Sequence, residues 1–173
     1  MPTSIEPLTI REVACSPTLL IATWFGSGLA PVASGTVGSL AALPFVWLLM
    51  QLWMPLALLL CVFLLFLGVA TGRVLGLRMG EPDHGAIVVD EVVGVALAIL
   101  LPYLLLAGCA APYVSVLGGC IGFRTFDIVK LGLVSYFDSP WNNPWGVILD
   151  DVFAGFMAAA RVAVLLHFLP VPY

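Results

Sequence analysis

The sequence predicts an all-α membrane protein, a compact bundle of about four to five transmembrane or partly re-entrant helices. Three observations predict it. Of 173 residues, 62% are hydrophobic and only 9% charged, with mean hydropathy +1.14, whereas soluble domains carry about 25% charged residues. The apolar residues fall into long runs approaching the roughly 20 residues that cross hydrocarbon. Nearly every ionisable residue lies in a connection or at the end of a run. The net charge of −4 excludes a nucleic-acid footprint, and the length, with no internal repeat, fits one unit. An arm over residues 1–22 is expected at the cytoplasmic face, followed by a single membrane-embedded domain over 23–170. The arm lacks the basic start of a signal peptide, so it is expected to be retained.

Five helices are predicted, at Thr36 to Met50, Pro55 to Met79, Ile87 to Leu101, Leu104 to Leu131 and Trp145 to Leu169. The first and third are short for a full span, which suits tilted, re-entrant or interfacial segments. The links "QLWMP" and "LPY" carry no charge. If all five helices cross, the arm, the loop from Gly80 to Ala86 and the loop from Leu131 to Pro144 share one face. Arg11, Arg73, Arg78 and Lys130 belong to that face, so the positive-inside rule makes it cytoplasmic. The cysteines form no recognisable ligand or disulfide spacing. Cys61, Cys109 and Cys120 lie in apolar runs, Cys15 stands alone, and all four read as packing residues.

Eight of the ten acids fall between positions 81 and 151, and all of them belong to the proposed cytoplasmic face. In "AIVVDEVVGVALAILL", Asp90 and Glu91 open the third helix, Asp127 lies near the end of the fourth, and Asp150 and Asp151 enter the fifth. One acid at a helix start gains macrodipole stabilisation of about 0.3–1 kcal/mol and needs no function. Adjacent acids point about 100° apart, so one of each pair faces inward, where ionisable residues of membrane helices mark functional sites. Crowded, desolvated carboxylates are costly unless paired or bound to a metal, and a hard divalent cation such as Mg²⁺ accepts oxygen ligands.

In "FRTFDIVK", Arg124, Asp127 and Lys130 recur every three residues on one helix side, either as a salt-bridge ladder or as a phosphate grip. The stretch "FGSGLAPVASGTVGSL" supplies Gly26, Ser27, Gly28 and Thr36 ahead of or within the first helix turn, where backbone N–H groups can face an anion. The same glycines also suit turns and close packing. His84, Asp83 and Asp138 are further possible members of the site, although His84 also reads as a solvated loop residue. His167 reads as interfacial, and Arg161, deep in the fifth helix, has no assigned role.

These stretches, with "DHGAIVVDEVVG" and "WGVILDDVFAG", closely resemble the phosphatidylglycerophosphatase A family of small bacterial inner-membrane phosphatases. The four motifs run in the family's order from Trp24 to Gly155. The resemblance implies Mg²⁺-dependent removal of the terminal phosphate of phosphatidylglycerophosphate, releasing phosphatidylglycerol. Its acidic motifs fall on Asp83, Asp90, Glu91, Asp127, Asp138, Asp150 and Asp151, and its basic ones on Arg124 and Lys130. The expected partners are this phospholipid and the surrounding membrane lipids. The expected roles are Mg²⁺ ligation by Asp90 or Glu91 with Asp150 or Asp151, phosphate neutralisation by Arg124 and Lys130, and water orientation by Asp127. An aspartyl nucleophile is the other route.

After Lys130 the chain departs from the family pattern. "KLGLVSYFDSP" lacks the two prolines and two arginines expected there, and Ser34-Gly35-Thr36 replaces an early Pro-Gly-Thr. A homologue acting on another lipid phosphate, or only binding one, is the alternative. A small cation transporter would place acids nearer the bilayer midplane.

Overall fold

The computed structural model describes residues 8–81, 83–105, 112–129 and 144–168. Those residues form seven α-helices and one 3-10 turn, with no strand. The helices are α1 (Ile10–Cys15), α2 (Pro17–Ala22), α3 (Ser34–Met50), α4 (Met54–Met79), α5 (Val89–Leu105), α6 (Pro112–Val129) and α7 (Pro144–Phe168). The 3-10 turn covers Ser27–Leu29.

The N-terminal segment is built into the fold. Thr9 and Glu12 make a reciprocal capping box at α1, and Ser16, whose side chain accepts the Leu19 N–H, starts α2 with Pro17 behind it, so each short helix has a side-chain cap at its start. Val13, Leu19 and Ala22 are buried in the common core. Arg78 of α4 donates to Glu12 at 2.5 Å and ties this hairpin to the C-terminal end of α4. Trp24 and Phe25 then adopt positive φ values of 43° and 57° as the chain reverses, and the Trp24 indole donates to the Ala41 carbonyl at 3.1 Å.

At the centre stands α5. Val92, Val93, Val95, Ala96, Ala98, Ile99 and Leu100 are almost wholly buried, as a helix that is apolar all round requires. Helices α3, α4, α7 and α6 surround it in that order. The pairs α5/α7 and α6/α7 make extensive contact, whereas α3 touches α4 and α6 only slightly. Small residues permit the close packing. A Cβ on Gly155 would lie 2.6 Å from the Gly94 carbonyl oxygen, so α7 crosses α5 nearly backbone to backbone.

Two expectations shift. Ile87 donates to the His84 carbonyl in a turn and Val88 donates to the Ala22 carbonyl, so α5 starts at Val89 rather than Ile87. The segment "LPY" is not a link, because α5 continues through Pro102 to Leu105. A proline there deprives one carbonyl of its partner without ending the helix. Leu104 and Leu105, expected in the fourth helix, thus belong to α5, and the fourth predicted helix is described over Pro112–Val129. Pro44 sits inside α3 in the same way. Among the described residues, α4 is the one helix long and apolar enough to cross a membrane by length and composition, and α3 is a shorter apolar helix.

Candidate active site

The α5/α7 crossing assembles the acids. Asp90 lies one turn before Gly94, and Asp151 one turn before Gly155. The contact between the two glycines therefore sets the two acids side by side. Asp90, Glu91 and Asp151 each offer a carboxylate oxygen, and these oxygens lie within 4.8 Å of one another. Asp90, Asp150 and Asp151 are buried to within 8% exposure. The Asp90 carboxylate accepts the Glu91 N–H at 3.1 Å, which fixes its orientation at the start of α5.

A third helix closes over this cluster. Gly35, in the first turn of α3, has its missing side chain directed at Glu91: a Cβ would collide with Oε1 and lie 3.3 Å from Arg124 Nη1. From α6, Arg124 pairs through Nη1 with Asp127 and donates through Nη2 to Thr36 Oγ1 at 3.3 Å. Phe123, fully buried against Gly94, fixes that stretch of α6. Glu91 Oε2 and Arg124 Nε are buried without hydrogen-bond partners. A carboxylate oxygen and a guanidinium N–H thus stand ready for a ligand at adjoining points.

This donor set fits a hard divalent cation. Ligand oxygens around Mg²⁺ at about 2.1 Å stand roughly 3–4 Å apart. Carboxylate oxygens of Asp90 and Glu91 on α5 and of Asp151 on α7 lie within 4.8 Å of one another, close to that spacing. Two buried carboxylates and a partly buried third repel one another when charged, and a bound cation would offset that cost.

The residues singled out from sequence separate into groups. Asp90, Glu91, Asp151, Arg124, Asp127 and Thr36 come together, with Asp150 beside them on α7. The Ser27 hydroxyl donates to the Thr23 carbonyl, and Gly28 packs against the Ala86 backbone; Gly26 holds a left-handed φ of 88° where the chain turns. Asp83 is exposed, and His84 Nδ1 accepts the Ala86 N–H at 3.1 Å within the turn before α5. Lys130 and Asp138 lie outside the described residues. Gly35 is the member that the sequence reading left out. Its neighbour Thr36 was the available signal, since a glycine beside it permits the approach of Glu91.

The sequence profile described as Phosphatidylglycerophosphatase A matches residues 20–166. The chain belongs to that family. It is 33% identical over 156 residues to phosphatidylglycerophosphatase A of Escherichia coli, covering 90% of this chain and 87% of that protein. It is 38% identical over 151 residues to the protein of the same name from Haemophilus influenzae, covering 85% and 87%. A Bacteroides thetaiotaomicron protein provisionally named a phosphatidylinositol-3-phosphatase is 35% identical over 152 residues, covering 84% and 91%. No solved structure matches. The family is one of phosphatases, and its matched region contains every residue of the cluster.

Proposed function

We propose that the protein hydrolyses the terminal phosphomonoester of phosphatidylglycerophosphate, with Mg²⁺, at the cytoplasmic face of a bacterial inner membrane that its helices cross several times. The observation that carries this reading is the convergence of Asp90, Glu91 and Asp151 beside the Arg124–Thr36 bridge. Names of the two phosphatidylglycerophosphatase relatives supply the headgroup.

Asp90, Glu91 and Asp151 would hold the cation, with Asp150 as a further oxygen donor. When bound, Mg²⁺ neutralises phosphate charge and polarises the phosphorus–oxygen bond. Arg124 turns its free Nε–H and fork toward the phosphate, and Thr36 Oγ1 holds that fork in place. Asp127, fixed by Arg124 Nη1, orients the attacking water and accepts its proton. Placing these groups at helix ends lets a lipid present its headgroup while its acyl chains stay in the bilayer.

A second reading keeps the site and changes the lipid, and the Bacteroides relative's provisional name supports it. Phosphate release by purified protein in detergent decides between the two. Release from phosphatidylglycerophosphate that needs Mg²⁺, stops in EDTA and disappears in Asp151→Asn is the expected result. Release only from a phosphoinositide would transfer the activity to that class, and metal-independent release would refute the metal assignment.

A further inference from the structure

The Arg124–Thr36 bridge places the site at the head of the seam between α3 and α6. Around α5, α3 touches its neighbours α4 and α6 only slightly, and the seam with α6 is the one whose polar ends, joined by the Arg124–Thr36 hydrogen bond, belong to the site. On α3, positions 36, 40 and 47 follow helical spacing along one ridge; on α6, positions 124, 121 or 120, 117 and 113 do the same. Trp47 lies eleven residues after Thr36 and Tyr113 eleven before Arg124, so each ridge runs about 16 Å from the polar site. That is about half of a hydrocarbon core of about 30 Å, the depth of one leaflet.

These ridges are apolar and unpartnered. Leu40, Trp47, Tyr113, Leu117 and Ile121 are between 51% and 63% exposed, and neither ridge carries a charge beyond Arg124. We propose that the α3/α6 seam is the portal through which a lipid substrate enters from the leaflet, with its acyl chains lying along these ridges while its phosphate reaches Arg124. The occupant follows from continuity: a two-ended ligand is required, anionic where the seam meets Arg124 and apolar for one leaflet's depth below it. The proposal rests on the lipid-phosphatase reading and adds the residues that discriminate chain from headgroup.

The experiment compares phosphate release from long-chain phosphatidylglycerophosphate in vesicles with release from a short-chain, water-soluble analogue. Filling the seam with Leu40→Trp and Ile121→Trp is expected to lower kcat/KM at least tenfold for the long-chain lipid and to leave the short-chain value near wild type. Equal losses on both substrates, or none on either, overturn the portal. Wild-type protein silent on both would instead fail the phosphatase reading.

A second measurement needs no turnover. With Cys15, Cys61 and Cys109 replaced by Ala, Cys120 is the sole thiol, partly exposed one turn from Arg124 on the seam. Its alkylation by a maleimide in EDTA is expected to slow at least fivefold with the long-chain lipid and not with the short-chain analogue. Alkylation indifferent to lipid overturns the proposal, as does protection that follows protein concentration, which would assign the seam to a second copy of the chain.

Discussion

Replacing Gly35 with Ala tests whether Glu91 is held at a working position or merely stored there. The added Cβ collides with Glu91 Oε1 and approaches Glu91 Cδ and Arg124 Nη1 to 3.3 Å each. Ordinary separations of about 3.5 Å require the nearer carboxylate oxygen to retreat by about 1 Å. A displacement of that size in a catalytic group costs on the order of 10²-fold, equivalent to about 2.7 kcal/mol of transition-state stabilisation. The fold should barely register the change, because the methyl meets the far end of a flexible side chain and alanine is a better helix former than glycine by up to about 1 kcal/mol. The expected result in a phosphate-release assay is a kcat/KM lower by about 10²-fold, with thermal unfolding unchanged or slightly later. Gly38→Ala is the counterpart, since its Cβ lies 2.7 Å from the branched Cβ of fully buried Val88, which cannot retreat. It should lower stability by about 1–3 kcal/mol while each folded molecule turns over near the wild-type rate. Wild-type activity in Gly35→Ala would refute the role given to Glu91.

Single replacement of Asp90, Glu91 or Asp151 by Ala should reduce kcat by about 10²–10³-fold or more while membrane insertion stays intact, as read by phosphate release and membrane fractionation. Arg124→Lys keeps the charge but cannot hold Asp127 and Thr36 together, so kcat/KM should fall about tenfold or more, measured against substrate concentration. Gly155→Ala drives a methyl to 2.6 Å from the Gly94 carbonyl oxygen, and should lower the unfolding temperature and activity together by separating α5 from α7. The Glu12 carboxyl is held down at about 2 by the Thr9 backbone N–H first and then by Arg78, against an ordinary value of 4.5. A depressed folded-state value contributes stability above the ordinary value and loses it as pH falls toward the depressed one. The protection of the α1 amides relative to their unstructured exchange rate should therefore fall as pH drops from 4.5 toward 2, and Glu12→Gln should abolish that dependence.

Much of the site was legible because charge is scarce in this chain. An acid at the head of an apolar run needs a physical reason, so Asp90, Glu91, Asp150 and Asp151 identify themselves, and three-residue spacing places Arg124 and Asp127 on one side of α6. Glycines were not legible in the same way. Gly26, Gly28, Gly35 and Gly38 look alike in "FGSGLAPVASGTVGSL", yet one holds a left-handed turn, two press against the Ala86 backbone and Val88, and one makes room for Glu91. Which of these a glycine does depends on what the neighbouring helix brings to it. The end of α5 was misread for a related reason. Pro102 resembles a stop signal locally, but it removes only one hydrogen bond in a helix held by burial along its length.

The sequence by itself determined the helical class, the end of the bundle where charge collects and the family motifs, because hydropathy and charge placement are properties of residue order. Only the tertiary structure decided that Asp151 rather than its neighbour joins Asp90 and Glu91, and that Arg124 of α6 bridges to Thr36 of α3. Those facts depend on where Gly94 and Gly155 let two helices cross, and a crossing is set by the fit of two surfaces that no single stretch of chain contains.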